Sequence, residues 1–471
     1  MKSEAKKRKK LEFPHGYIIL MSVMLVVVVL SWIIPAGEYA RVVDPATGME
    51  VVDPGSFSFV EQEDPIGFLD FFTAINAGIV KAMGIGSLIV VMTGAIAVLD
   101  STGALTTGVK KIIEKSKGRE FTIVAIFLFV FIACGVVGLA ENMMPFIPIM
   151  ITLMMGLGYD RMVGITVLIA GLEIGWTAGI VNIYTTGISQ EMIGLPIFSG
   201  LGFRTAATIL FYVIGLIFLY RYCKKIKKDP SKSIVASEYM QQCKDTTETV
   251  KEKVVLTMKM KLGLAIFGIA MVIQTYGAVK LAWSYDQMSA ILIVAAIVIA
   301  VVCGINANEA CRIFTRGASE LLSVVFMMGL AQAVTALMRQ AKMLDTIVYY
   351  LSKMLQNKGA IFTLLMIFIA VMILNFFIIS GEGKAIVMIP ILSPLAKILG
   401  INQQVVVLAY QYAEGFTNDL YPTYGSLHAM LAMGKVSFGD WWRFTYKLWF
   451  TLIIVGFLLV LLAQGINLGP F

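Results

Sequence analysis

Along its length the chain alternates long apolar runs with short polar breaks. Stretches at roughly 17–35, 84–100, 162–181, 204–221, 262–280, 286–304, 317–338, 403–420 and 441–464 are apolar over the length of about 20 residues that a helix needs to cross hydrocarbon. Two longer runs, 121–158 and 360–400, are interrupted near their middles by "GLAEN" at 138–142 and "SGEGK" at 380–384. Charges and poor helix formers inside lipid are costly unless something polar surrounds them, so each run is predicted as two short helices with a polar tip, a re-entrant hairpin. The predicted fold class is an all-α polytopic membrane protein with about nine spans and two re-entrant hairpins.

The pattern occurs twice. When "KGREFTIVAIFLFVFIACGVVGLAENMMPFIPIMITLMMGLG" is set over "KGAIFTLLMIFIAVMILNFFIISGEGKAIVMIPILSPLAKILG", Gly118 faces Gly359, Phe121 faces Phe362, Glu141 faces Glu382, Pro148 faces Pro390 and Gly158 faces Gly400 at nearly constant separation. Further on, Gly175 and Thr177 meet Gly415 and Thr417. An internal repeat is the economical explanation. The chain divides into a basic tail (1–16), a first repeat (17–221), a polar linker (222–261) and a second repeat (262–471). Counting spans from a basic N-terminus places the first hairpin on one side of the membrane and the second on the other. The repeats are then inverted, an architecture that builds a binding site at the membrane midplane.

Composition narrows the class. With 58% hydrophobic and 14% charged residues in 471, and a mean hydropathy of +0.83, the chain carries more apolar surface than a soluble domain can hide. The net charge of +8 sits in "KSEAKKRKK", "KKIIEKSKGR" and "YRYCKKIKKDPSK", each beside an apolar run. That is the positive-inside pattern, with the N-terminus cytoplasmic in a bacterial-type inner membrane, and it argues against nucleic acid as a partner. Five cysteines without paired spacing imply no disulfide framework or zinc site, and no cofactor is expected. Enzyme signatures are absent: there are two histidines and no HExxH, P-loop or nucleophile-elbow pattern.

The chemistry is expected at the breaks. Helix ends expose unpaired N–H and C=O groups, so the tips, with Glu141 and Asn142 in the first and Ser380, Gly381, Glu382, Gly383 and Lys384 in the second, are candidate substrate or ion ligands. The alternative is that their charges pair and merely hold a tip together. The segments after the hairpins, "GLEIGWTAGIVNIYTTG" and "AYQYAEGFTNDLYPTYG", are also broken, and Pro422 forbids a continuous helix in the second. There Thr177, Asn182, Thr417 and Asn418 offer neutral oxygens suited to sodium, and Glu173, Glu414 and Asp419 offer charge. Asn and Thr equally serve as glue between membrane helices. Sodium or a proton is the candidate coupling ion.

"LSWIIPAGEYAR", "GLPIFSGLGFR", "SGEGKAIVMIPILSPLA", "EGFTNDLYPTYG" and "WWRF" resemble the YfcC-like branch of the anaerobic four-carbon-dicarboxylate carrier family, within the ion transporter superfamily. The resemblance covers nearly the whole chain apart from the linker. It implies two inverted repeats with hairpins, a homodimer held by a scaffold domain, and elevator movement of a transport domain. Related branches carry dicarboxylates, and others resemble arginine/ornithine exchangers. This chain departs from the family pattern at the second tip, where Glu382 and Lys384 replace a serine and a glutamine.

The expected function is therefore a secondary active transporter of a small molecule in the lipid bilayer. Acids around one pocket repel a dicarboxylate and attract a cation, which favours a small amino acid, a basic one over an acidic one, with Glu382 holding its positive group or the coupling ion and Lys384 either tethering Glu382 or meeting the substrate's carboxylate. An ion-coupled dicarboxylate carrier and a channel are the alternatives.

Overall fold

The computed structural model describes residues 14–43, 50–61, 66–245, 255–281, 283–355, 359–378 and 380–469. Most of the basic tail (1–13) and the middle of the linker (246–254) lie outside the described residues.

Helix α1 (Gly16–Ser31) leads into four short strands, β1 (Gly37–Glu38), β2 (Arg41–Val43), β3 (Glu50–Val52) and β4 (Ser58–Phe59). They pair antiparallel, β1 with β4 and β2 with β3. Then follow α2 (Phe68–Ser101), α3 (Ala104–Lys115), α4 (Glu120–Val136), α5 (Ile147–Gly156), α6 (Arg161–Ala178), α7 (Ile188–Met192) and α8 (Leu201–Lys228). The linker holds α9 (Ala236–Asp245). After α10 (Met258–Lys280) and α11 (Tyr285–Cys303) come α12 (Ala307–Ser319), α13 (Leu322–Gln340), α14 (Met343–Leu355), α15 (Ala360–Phe377), α16 (Gly381–Ile398), α17 (Gln403–Asn418), α18 (Gly425–Met433) and α19 (Phe438–Gly465).

From α2 to α8, and again from α12 to α19, the series is the same. A long apolar stretch is followed by a short amphipathic helix, two helices that meet at a tip, a broken helix and a last long helix. Corresponding pieces run in opposite directions where they touch. Gly78 packs on the backbone of Gly329 and Ala333, Gly86 on Val325 and Gly94 on Phe314, so α2 and α12–α13 are antiparallel. So are α6 and α17, with Gly415 against Thr177 and Asn418 bonded to Glu173.

Among the described residues, eight helices are long and apolar enough to cross a membrane. The differences from the expected spans are local. Helix α2 begins sixteen residues before the expected start at 84, because Asp70 accepts the Gly67 N–H at 2.8 Å and caps it. At 34 residues it is about 51 Å long, more than the hydrocarbon alone requires. Helices α1 and α17, expected as full spans, are 16 residues each, whereas α15 at 18 residues is of spanning length. The strands lacked an apolar pattern long enough to predict them. They dock on α14 through Arg41 and Asp345, 3.0 Å apart, and through the Phe57 ring stacked on Tyr349.

The start of the linker is also docked. Tyr222 and Ser233 donate hydroxyl hydrogen bonds to Asp160, which itself caps α6 at Val163 N–H. Arg161 binds Glu238, and the Tyr239 hydroxyl donates to Gly158 O at 2.8 Å. The linker thus holds the ends of α5, α6 and α8 together.

Candidate functional site

In the first half, α4 lies parallel to α6 at a separation that only glycine permits. A Cβ at Gly135 would stand 2.1 Å from Leu172 O, and one at Gly175 2.1 Å from Ile132 O. Helix α4 stops at Gly138, whose φ of 81° is costly for any residue with a Cβ. A tight turn over Glu141–Phe146, containing Pro145, then leads into α5. Glu141 is half-buried and accepts a hydrogen bond from the Ser426 hydroxyl at 3.2 Å, while Asn142 is buried. Helix α6 breaks at Gly179, also left-handed at 61°. Asn182 caps the turn beyond it, accepting Tyr184 N–H at 3.0 Å and donating to Trp176 O at 3.2 Å.

The second tip is built differently. Ser380 accepts the Gly383 N–H at 3.1 Å and caps α16, so the helix already runs through Gly381, Glu382, Gly383 and Lys384. Residues two apart on a helix point to opposite sides. Glu382 therefore faces solvent, while Lys384 turns inward and is fully buried. Lys384 Nζ donates to Asn375 Oδ1 and forms an ion pair with Glu414 Oε1 at 3.3 Å. Lys384 thus neither tethers Glu382 nor faces the opening. Gly381 closes the same corner: its carbonyl accepts the Tyr410 hydroxyl, and a Cβ there would stand 2.6 Å from Thr185 Cγ2.

Asn375 ties this corner together. Its amide nitrogen lies 2.8 Å from Glu414 O, Thr417 Oγ1 and Asn418 Oδ1, so two hydrogens serve three acceptors. Asn418 in turn donates to Glu173 at 3.1 Å, and the Thr177 hydroxyl lies 3.5 Å from the same carboxylate. Thr417 donates to Ala413 O at 2.7 Å, and Trp176 Nε1 donates to Glu414 Oε2 at 3.1 Å. The neutral oxygens singled out for sodium, on Thr177, Asn182, Thr417 and Asn418, are all engaged within the protein. Asp419 differs. It is fully buried, and neither carboxylate oxygen has a hydrogen-bond partner among the described residues. Its backbone is bonded, the N–H donating to Thr417 O and the carbonyl accepting Trp441 Nε1 at 2.9 Å. Glu173, Glu414 and Asp419 are gathered with a single base, Lys384.

A more open space adjoins this cluster. Tyr184, partly exposed, lies near-parallel to Trp176 at 6.0 Å between ring centres and packs on Gly138 of the first tip. Tyr184 and Tyr285, the latter from α11, are both within electrostatic reach of Glu141 and Glu382. Tyr184 thus touches the first tip at Gly138 and lines a cavity with Glu382 of the second. Sequence reasoning missed both tyrosines: Tyr184 stands in the broken segment and could have been found there, whereas Tyr285 opens an ordinary apolar helix. Glu382 lines two cavities. One of about 440 Å³ includes Tyr184, Ile188 and Phe198, and one of about 570 Å³ on the strand side includes Arg41, Arg339, Lys342 and Asp345. At the opposite ends of α2 and α12–α13, a cavity of about 800 Å³ is lined by Asp100, Pro145, Arg316, Glu320 and Lys435.

The chain is similar over its length to known proteins. An uncharacterized protein of Haemophilus influenzae is 28% identical over 98% of this chain and 99% of its own. The putative basic amino acid antiporter YfcC of Escherichia coli is 26% identical, with 98% of each chain covered. The crystal structure of the Alcanivorax borkumensis YdaH transporter aligns with 97% of this chain and 99% of its own at 16% identity and a TM-score of 0.41. The family model described as the C4-dicarboxylate anaerobic carrier matches residues 13–465, and the chain accordingly belongs to that family of membrane transporters, which are carriers and not enzymes.

Proposed function

We propose that the protein is a secondary active transporter that moves a small basic amino acid across the membrane, by exchange or coupled to an ion. The observation that carries this reading is the chemistry around the tips: Glu382 and Tyr184 line one cavity, Tyr184 lies near-parallel to Trp176, and Glu141 is within electrostatic reach of Tyr184 and Tyr285. Carboxylates beside aromatic faces attract an ammonium or guanidinium group by charge and by cation–π contact. The buried cluster behind has three acids to one base, which adds a negative field and disfavours a dicarboxylate. The name of the Escherichia coli relative points the same way.

The antiparallel meeting of α2 with α12–α13 and of α6 with α17 supports inverted repeats. Cavities at both ends of the tips suit alternating access by an elevator movement of α4–α8 and α15–α19 against the remaining helices, in a homodimer, as the family resemblance implies. Asp419 is the proposed seat of the coupling ion. A buried carboxylate without a partner is unstable as a bare anion, so it carries a proton or a sodium ion, with Glu173 beside it.

Counterflow in proteoliposomes tests the reading. Labelled arginine should enter vesicles loaded with unlabelled ornithine and not those loaded with succinate, and Glu382→Gln should abolish the uptake. Succinate exchange without arginine exchange would overturn the basic substrate. A non-saturating ohmic current would overturn carriage altogether.

A further inference from the structure

The strand-side cavity contains an unpaired cation. Of its charged lining, Arg41 pairs with Asp345 at 3.0 Å and Lys342 with Glu38 at 3.3 Å. That leaves the side chains of Arg339, Glu50 and Glu382 with no ion pair or hydrogen bond among the described residues. Arg339 stands in the last turn of α13, and its guanidinium is 3.9 Å from where a Cβ on Gly383 would be, beside the residue that follows Glu382. Lys81, exposed on the neighbouring α2, is within electrostatic reach of Arg339 and also has no anionic partner among the described residues.

A basic amino acid brings two positive groups and one carboxylate. Glu382 and Glu141 answer the positive groups. Lys384, the cation within the tip itself, is spent on Glu414 and Asn375. Resting on the proposed substrate class, we infer that Arg339 is the carboxylate-binding residue: it holds the α-carboxylate of the substrate in the strand-side cavity while Glu382, across from it, holds a positive group. A guanidinium suits this role because its fork can engage both carboxylate oxygens, and its hydrogens here have no partner among the described residues. The site then selects amino acids over the corresponding amines. Arginine and agmatine, or lysine and cadaverine, share a cationic tail and differ in the carboxylate that Arg339 would bind. The binding group belongs to α13 and the tip to α16, so the substrate bridges two elements and draws them together.

The test is inhibition of labelled arginine counterflow by unlabelled arginine and by agmatine, with the full-length protein in proteoliposomes. In the wild type, arginine should inhibit at a concentration about tenfold or more below that of agmatine, a factor of about 1.4 kcal/mol. Arg339→Gln should bring the ratio close to one by weakening arginine alone, and Arg339→Lys, which keeps the charge and loses the fork, should fall between. A wild-type ratio near one, or an Arg339→Gln protein that keeps the wild-type ratio, overturns the inference while leaving cation transport standing. If neither compound inhibits and thermal shift shows binding of neither, both the substrate class and the carboxylate site fall.

Discussion

The two halves repeat the same series of elements, yet each holds its tip in its own way. In the first, α4 and α6 approach until backbone touches backbone at Gly135 and Gly175, and the one acid of the tip, Glu141, is half-buried and, among the described residues, its side chain is bonded only to Ser426. In the second, α15 and α17 are joined by side chains: Asn375 bridges three acceptors, and Lys384 fixes the tip to Glu414. The first half is a steric clasp and the second an electrostatic one. A shared topology thus leaves the adhesive free to differ, and the charged residues of the second tip serve two separate purposes. Lys384 anchors the tip, which leaves Glu382 available to the cavity.

Breaking the electrostatic clasp should have the largest effect. Lys384→Met strands Glu414 in the interior, and loss of one partner of a buried pair costs about 3–5 kcal/mol. Thermal unfolding in mild detergent should show a large drop in midpoint, with Lys384→Met/Glu414→Gln recovering most of it. An unchanged midpoint for the single variant would mean that the pair does not hold the tip. Next come the equivalent glycines. Gly175→Ala places a methyl 2.1 Å from a carbonyl oxygen that cannot move alone, and Gly415→Ala meets the Thr177 hydroxyl at 2.0 Å and the Thr177 Cβ, which no side-chain rotation moves, at 2.7 Å. We expect both at the upper end of the roughly 1–3 kcal/mol typical of overpacking. A negligible cost at Gly175 would mean that close backbone contact does not hold the first half. Asn375→Leu leaves Lys384 without one acceptor and takes a donor from Thr417 Oγ1 and Asn418 Oδ1, while Glu414 O keeps the Thr417 hydroxyl, an expected loss of about 2 kcal/mol by the same assay. Ser426→Ala, which removes the one bond to Glu141, should cost about 1 kcal/mol or less. A larger loss there would show the first tip to be as firmly held by polar contacts as the second.

Much of the fold could be read in advance because hydrocarbon is an unforgiving solvent. A polar or helix-breaking residue inside an apolar run stands out, so the interruptions at 138–142 and 380–384, the breaks after Gly175 and Gly415, and the twofold recurrence of the series were visible along the chain. The strands at 37–59 were not, since paired segments of two or three residues carry no usable period. Within the site, polar groups in apolar surroundings could be picked out along the chain, but their partners could not. Glu382 and Lys384 are neighbours in sequence and part company because a helix starts at Gly381 and turns about 100° per residue. Tyr285 and Arg339 come from helices that look ordinary by themselves. What the sequence alone determined is where backbone had to leave the apolar regime, since that penalty is local. Tertiary structure decided which charge is satisfied and which stays free, because an ion pair depends on distances between segments far apart in the chain. That is why the free groups, Glu382, Arg339 and Asp419, emerge only once the helices are packed.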